Sequence, residues 1–300
     1  MRIVSLVPSA TEIAAGLGLA DAIVGISADC DFPPEVRGKP VLTEAIMTPD
    51  LPSPAIDHRV RGQIHTGRSV YHLDEAALAR LRPDLILTQE LCAVCAPSFT
   101  RVTEAARLLF GEPRIVSLEP RGLLDVLDNI RLVGEVAGVP GRGLELAGRL
   151  RRRIDAVAVQ TDGDRPGVAC IEWLDPIYAG GHWVPEMVAA AGGRDVLGVA
   201  REPSRRVEWR EVSDARPEVL VVMACGFDVA RTRAEIGLLS GRPGWDDLPA
   251  VRGGRVFLVD ASSYFSRPGP RLVDGLEILA AILHPEARAF GGPPGAVERL

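Results

Sequence analysis

Residues 121–161 decide the fold, and they read RGLLDVLDNI RLVGEVAGVP GRGLELAGRL RRRIDAVAVQ T. Apolar side chains recur at helical spacing over residues 123–137 and again over 146–157, which predicts two amphipathic helices. Gly138 and Pro140 lie between them and predict a break, because glycine favours helix ends and proline lacks an amide proton. The second helix, about twenty residues at 1.5 Å of rise each, would span roughly 30 Å. We therefore expect a helical brace between two strand-rich halves.

The two halves carry matching segments on either side of this brace. Arg82-Pro83-Asp84 precedes an apolar run, and so does Arg216-Pro217-Glu218. A second pair of apolar runs occupies residues 114–118 and 255–259. Each segment predicts a turn that leads into a buried strand, and repeated helix and strand units are typical of parallel sheets covered on both faces.

These patterns predict the α/β class, with two Rossmann-like lobes whose parallel sheets are joined by a long backbone helix. The expected boundaries are an N-terminal lobe over 1–120, connecting helices over 121–161 and a C-terminal lobe over 162–300. A ligand cleft is expected between the lobes, because ligands of open parallel sheets bind beyond the strand carboxyl ends.

The amino-acid composition limits the classes of partner that this chain is expected to bind. The net charge of -6 offers no general attraction to nucleic acid, and no long apolar run predicts membrane insertion. The arginines at 149 and 151–153 are expected on the solvent face of the brace helix. Lys39 is the only lysine, which leaves little scope for Schiff-base chemistry. We expect a monomer with a small-molecule ligand.

The amino terminus bears on location. Met1-Arg2 leads directly into the apolar run Ile3–Val7, without the pattern of a secretory signal, and five cysteines suit a reducing compartment. As written, the chain is expected in the cytoplasm. A chain trimmed of its signal would begin in the same way and would be extracytoplasmic.

Candidate binding residues in the first half lie at predicted strand ends and loops. Ser9 opens the capping box Ser9-Ala10-Thr11-Glu12, although a ligand anion could compete for that helix start. Cys30 and Asp31 follow the strand 23–26. The irregular stretch 44–72 is expected to hold only a short helix from Pro54 after a Ser53 cap. Tyr71 lies near its end, before a helix predicted over 73–81, and Gln89 follows the strand 85–88.

Cys92 and Cys95 form a C-x-x-C pair just beyond the same strand. Two thiolates at this spacing can share a metal or close a disulfide. The alternative is that both are small buried apolar residues.

In the second half the aromatic residues gather near predicted strand ends. Aromatic rings beside glycines make a flat apolar wall with close backbone access, so we expect a ligand there rather than an aromatic core. Cys170 is expected to pack inside its strand, and Cys225 follows the strand 219–222. The candidate ligand-binding residues of this half are Glu172, Trp173, Tyr178, His182, Trp183, Phe227 and Tyr264.

The opening Ile3-Val4-Ser5-Leu6-Val7-Pro8-Ser9-Ala10-Thr11-Glu12, the two Arg-Pro turns and the central helix resemble the cobalamin-binding, helical-backbone class of ABC-transporter substrate-binding proteins. The resemblance spans Arg2 to about Leu283. It implies a corrinoid ligand and a permease partner. Relatives with this backbone also bind iron chelates, haem, zinc or manganese. Family importers often carry one permease-docking glutamate per lobe, but here those positions fall on Ala76 and Arg210, with Glu75 and Glu211 beside them.

Two functions therefore remain open. In the first, cobalamin or a related corrinoid lies against the aromatic residues and takes an axial ligand from His182 or a thiolate. In the second, Cys30, Cys92, Cys95 and Cys225 bind zinc or an iron-sulfur cluster, or perform thiol redox chemistry. The sequence has no G-x-S-x-G, P-loop or H-E-x-x-H motif, so no enzyme activity is expected.

Overall fold

A computed structural model describes residues 1–45, 51–65, 71–90, 102–104, 112–160, 164–286 and 290–300. The chain folds as two compact α/β units. The first comprises Met1–Leu51, Ala55–Pro120 and Asp125–Arg149, and the second comprises Pro52–Pro54, Arg121–Leu124 and Leu150–Leu300. The expected boundaries at 120 and 161 stay a prediction, and the observed division falls within the long central helix.

The strands are β1 Ile3–Ser5, β2 Ile23–Ile26, β3 Thr43–Ala45, β4 Tyr71–Leu73, β5 Leu85–Thr88, β6 Arg114–Ser117, β7 Gly167–Leu174, β8 Ile177–Ala179, β9 Arg194–Asp195, β10 Arg205–Arg206, β11 Val219–Val222, β12 Val256–Val259 and β13 Val297–Arg299. The helices are α1 Pro8–Gly16, α2 Ser53–His65, α3 Glu75–Leu81, α4 Asp125–Val136, α5 Pro140–Gln160, α6 Val184–Ala190, α7 Trp209–Asp214, α8 Val229–Glu235, α9 Gly237–Ser240, α10 Pro249–Arg252, α11 Ala261–Tyr264 and α12 Leu272–Leu283.

The first unit is built on a parallel sheet in the order β2-β1-β5-β6. Ile3 of β1 lies opposite Ile23 on one side and Leu85 on the other, so β1 is central and fully buried. Side chains from β1 and β5 pack with Leu42, Leu73 and Leu78 in one apolar core. Parallel order places the carboxyl ends of all four strands at one edge of this sheet.

The second unit has a parallel centre of β7, β11 and β12, which confirms the predicted α/β core. Its sheet runs β10-β8-β7-β11-β12-β13, with β9 also paired to β7. β8 pairs antiparallel with β7 and β13 pairs antiparallel with β12, and we did not anticipate either strand because each is only three residues long. The antiparallel strands therefore flank a parallel centre, and this centre resembles the parallel sheet of the first unit.

The matching Arg-Pro segments form matching turns. Arg82 ends α3 with a φ of 44°, and Arg216 follows α7 with a φ of 45°, so each leaves its helix in the left-handed conformation. A residue before proline disfavours the right-handed helical conformation, which is why each helix stops there. The next residues enter the buried strands β5 and β11. The matching segments of the sequence therefore adopt matching local structures.

The two helices of the brace form as predicted. Gly138, with a φ of +74°, ends the first helix, and Pro140 begins the second, α5, which is 21 residues long. The solvent-face prediction for the arginines is wrong for Arg153. Its guanidinium binds Glu277 and Asp274 of α12, because the helix face at this position packs on α12.

Three local predictions of the first half are corrected by the structure. Helix α1 begins at Pro8 with Val7 as its cap residue, so Ser9 does not cap it; proline at the first helical position is preset for helix and needs no amide partner. Leu73 ends β4, and the following helix starts at Glu75 after an Asp74 cap. Helix α2, expected to be short, runs for 13 residues.

Candidate functional site

A network of small polar side chains lies at the carboxyl edge of the first unit. Cys30 is buried, and its Sγ lies 3.0 Å from Thr11 Oγ1 and 3.1 Å from Ser27 Oγ. Thr11 Oγ1 in turn donates to Ser5 Oγ at 2.8 Å. The buried Cys30 thiol thus contacts two hydroxyl groups and ties the end of β2 to the start of α1, and its role as a ligand contact stays a prediction.

The other first-unit candidates surround this network. Tyr71 donates its hydroxyl proton to Asp29 Oδ2 at 2.6 Å, and Asp31 is exposed. Gln89 is buried directly after β5. Ser9 is also buried, and its hydroxyl oxygen has no hydrogen-bond partner within the described residues. As ligand contacts, all of these residues stay predictions.

Aromatic rings and arginines line the carboxyl edge of the second unit, and we call Trp173, Phe227 and Tyr264 the aromatic edge. The rings of Trp173 and Phe227 lie 5.2 Å apart at 55°. The guanidinium of Arg231 lies 4.9 Å from the Phe227 ring centre, and that of Arg271 lies 5.8 Å from the Tyr264 ring centre. A backbone bond from Ser262 to the Phe227 carbonyl, 3.0 Å long, holds β11 and β12 ends together. Cations at these distances favour ring faces.

Glu172 lies on β7, at the point where the pairing of β7 with β8 shifts register. Its carboxylate accepts hydrogen bonds from the Ser204 hydroxyl and the Gly181 amide. Burial, reinforced by the negative charge of Asp195, raises the pKa of Glu172 to about 7. This carboxyl group therefore changes charge near neutral pH.

His182 and Trp183 follow the two glycines 180 and 181. His182 is half-buried, and burial together with the nearby Arg121 lowers the pKa of its imidazole, which favours the neutral form. A neutral imidazole is the form that binds metals. Trp183 is 7% exposed, and its indole N–H donates to the Phe265 carbonyl at 2.8 Å, so most of this ring packs in the interior of the unit.

The remaining candidates of this unit lie on the same strands. Tyr178 is half-buried on β8, opposite Trp173. Cys225 is exposed just past β11, and its amide donates to the Glu172 carbonyl oxygen at 2.9 Å. Cys170 is fully buried, and its surroundings raise the pKa of the thiol well above its ordinary value, as expected for a packing residue.

The structure gives no support to the cysteine-ligated metal site. Cys30 is buried in the first unit and Cys225 is exposed in the second, while Cys92 and Cys95 fall outside the described residues. Within the described ranges, no three His, Cys, Asp or Glu side chains come together as metal ligands.

Several residues of the second-unit edge escaped sequence reasoning. Ser204 and Asp195 meet Glu172 only through the fold, and nothing in the local sequence marks them. Arg231 had a detectable signal, because it precedes Glu235 by four positions on α8 and pairs with it at 2.6 Å. Arg271 lies one residue before α12, and no pattern in the sequence marked it as a site residue.

Among the described residues, no helix combines the length and the apolar character needed to span a bilayer.

Comparison with known proteins places this geometry in context. The model of a family described as periplasmic binding protein matches residues 3–262. The vitamin B12-binding protein of Vibrio cholerae is 24% identical over 290 residues, covering 94% of this chain and 88% of that protein. An uncharacterized ABC transporter substrate-binding lipoprotein of Bacillus subtilis, YvrC, is 24% identical, with 95% and 80% covered.

Solved structures agree on the fold. The periplasmic vitamin B12 binding protein BtuF of Vibrio cholerae has a TM-score of 0.68 at 23% identity, with 96% of this chain and 98% of that chain covered. The periplasmic heme-binding protein RhuT of Roseiflexus sp. RS-1 has a TM-score of 0.70 at 25% identity, with 95% and 98% covered. These matches confirm the resemblance to the cobalamin-binding, helical-backbone class of substrate-binding proteins and the α/β fold that it implies.

The expectation of a cytoplasmic protein is wrong. The matching family is named for the periplasm, the Vibrio cholerae structure is of a periplasmic protein, and the Bacillus subtilis relative is a lipoprotein. Members of this family are therefore periplasmic or extracytoplasmic, which overturns the cytoplasmic expectation. Because the family model matches most of the chain, residues 3–262, this protein belongs to the periplasmic binding protein family.

Proposed function

We propose that this protein binds cobalamin or a related corrinoid at the aromatic edge of its second unit, as the substrate-binding component of an ABC transporter. The observation that carries the proposal is the tilted ring pair of Trp173 and Phe227, with Tyr264 at the end of α11, the short helix that follows β12. The name of the Vibrio cholerae relative supports the same ligand class. We propose binding without catalysis, as in other substrate-binding proteins.

A corrinoid suits this edge because of its shape. Its macrocycle is broad and mostly apolar, and aromatic side chains bury large areas against such a surface. Arg231 and Arg271 lie over the rings and add positive charge at the same edge. The phosphate of a complete cobalamin is an anion that such arginines recognise.

Haem is a second candidate, favoured by one specific observation. His182 carries a pKa below its ordinary value, so its imidazole is available to bind iron at neutral pH. A solved neighbour from Pseudomonas aeruginosa, with a TM-score of 0.72 at 22% identity, is a periplasmic heme binding protein. Both ligands are flat metal macrocycles, so the aromatic edge alone does not separate them.

The permease partner follows from the transporter role, with a docking surface that differs from the pattern the resemblance implies. Ala76 lies in the first turn of α3 and Arg210 in that of α7, where its side chain is 90% exposed. Glu211 is held by the α7 capping box and by Arg205 at 2.9 Å. We propose that any permease of this protein accepts an arginine rather than a glutamate at the α7 position.

The test is a parallel titration with hydroxocobalamin and hemin, followed by tryptophan quenching and by the visible spectrum. A saturable response to hydroxocobalamin, weakened at least about tenfold by Phe227→Ala, supports the proposal. Phe257→Ala is the matched control, since Phe257 lies within β12 rather than beyond a strand end. A response to hemin alone, lost in His182→Ala, would move the assignment to haem. The absence of either response would refute a macrocycle site.

A further inference from the structure

Glu172 connects two segments that border the aromatic edge. Its carboxylate accepts from the Gly181 amide, in the loop that precedes His182, and from the Ser204 hydroxyl, in the segment that leads into β10. The neighbouring residue on β7 is Trp173. The register shift between β7 and β8 falls at Glu172, and such bulges re-aim a side chain beside a functional site.

The two segments also hold each other closely. The His182 amide donates to the Glu202 carbonyl at 2.6 Å, and the Arg201 amide donates to the His182 carbonyl at 2.8 Å. A Cβ atom on Gly181 would lie 2.3 Å from the Ser204 nitrogen, so only glycine fits at this contact. A change at the Glu172 carboxyl group is therefore passed directly to the loop that bears His182.

Charged groups of both signs lie on the elements packed beside this carboxyl group. Asp195 on β9 opposes ionisation of Glu172, and its own pKa is raised by burial. Arg205 is turned to Glu211 at 2.9 Å. The other titratable groups of the packed elements are Cys170 on β7, Tyr178 on β8, His182 in the loop, Arg194 on β9, Arg201 and Glu202 before β10, Arg206 on β10 and Cys225 after β11.

The geometry points to Glu172 as a proton-linked positioning residue, which fastens the 180–182 loop and the 201–206 segment beside the aromatic edge and couples proton uptake to ligand binding. The coupling rests on the proposed function. A macrocycle on Trp173 would remove water from the partly exposed Glu172, and a less hydrated carboxyl group favours its neutral form. By linkage, the ligand binds more tightly when Glu172 is protonated, and affinity falls as the pH rises through about 7.

The first experiment needs no ligand. The melting temperatures of the wild type, Glu172→Gln and the control Glu202→Gln are measured from about pH 5.5 to about pH 8. Glu202 undergoes the same chemical change on the same segment, but it is exposed. We expect the gap between Glu172→Gln and wild type to shift by about 3 °C or more in favour of Gln as the pH rises, with no such trend for the control. Parallel curves would overturn the inference, whatever the protein binds.

The second experiment is a titration with cyanocobalamin at the same pH values, since its cyanide ligand leaves no cobalt-bound water to ionise. We expect wild-type Kd to rise about fivefold or more toward the alkaline end, and the Kd of Glu172→Gln to stay flat. Equal pH profiles would overturn the coupling. No binding by any variant at any pH, with the melting trend intact, would refute the corrinoid function while the fastening role of Glu172 stands.

Discussion

Arg153 gives the sharpest test of how the second unit is held together. On α5, its Nε and Nη2 donate to the two carboxylate oxygens of Glu277 at 2.8 Å each, and Nη2 also donates to Asp274 at 2.6 Å. The three side chains are 35%, 21% and 34% exposed. The hydrogen bond to Glu277 and the other carboxylate contacts raise the pKa of the guanidinium above its ordinary value, against the opposing effect of burial.

The substitution Arg153→Met keeps most of the apolar stem and removes the charge. Exposed ion pairs contribute about 0–1 kcal/mol, whereas breaking a fully buried pair costs about 3–5 kcal/mol. The two carboxylates are a fifth to a third exposed, so solvent screens the pair in part. We therefore expect a cost between the two ranges and closer to that of exposed pairs, about 1.5 kcal/mol. In a unit of this size that corresponds to a decrease of roughly 3–6 °C in Tm.

The assay is thermal and urea unfolding of Arg153→Met beside Arg151→Met. Arg151 binds Asp155 at 2.8 Å on the same helix, but both partners are about half exposed, so its loss is expected to cost under about 0.5 kcal/mol. Adding Glu277→Gln to Arg153→Met removes an uncompensated charge and should restore part of the lost stability. Equal effects of Arg153→Met and Arg151→Met would refute the reasoning, because the Arg153 network would then behave as an ordinary surface pair.

Three further outcomes follow from the second unit. The folded pKa of Glu172, about 7, lies above its ordinary value of 4.5, so its contribution to stability is complete at low pH and is lost as the pH rises from 4.5 through 7. Urea unfolding should show that the wild type loses at most about 3 kcal/mol of unfolding free energy over this range, and that Glu172→Gln abolishes the loss. Trp183→Phe leaves the Phe265 carbonyl unpaired in a buried place and should cost about 1–3 kcal/mol of unfolding free energy; a smaller cost would mean that water replaces the indole. Gly181→Ala sets a Cβ against backbone atoms that cannot move separately, so a loss of about 1–3 kcal/mol is expected, and unchanged stability would show that the loop yields.

The sequence predicted the framework of the fold because the framework depends on local rules. Apolar periodicity placed α4 and α5, and the Arg-Pro turns placed β5 and β11. The short strands β8, β10 and β13 have too few residues to show an alternating apolar pattern, and their positions in the sheet depend on pairing with other strands.

The candidate site was predictable in part for the same reason. Residues at the end of a buried strand or a few positions beyond it, such as Glu172 and Phe227, could be proposed from the sequence because strand ends meet at one edge of a sheet. Hydrogen-bond partners contributed by distant loops, such as Ser204, could not be proposed from the sequence. The capping role predicted for Ser9 was wrong for a different reason, since Pro8 starts the helix before that position, whereas its role as a ligand contact stays a prediction.

The same division explains why the fold is easier to establish than the ligand. Arg82 and Arg216 adopt the same left-handed turn and feed strands of the same kind, yet the two sheets end differently. The first ends in a buried network around Cys30, and the second ends in the aromatic edge. Turn and strand constrain the backbone, but they place no demand on the side chains just beyond it, so those side chains are open to selection by the ligand. The chemistry of the second edge, with aromatic rings under arginines and a carboxyl group that titrates near neutrality, is therefore where the ligand must be sought.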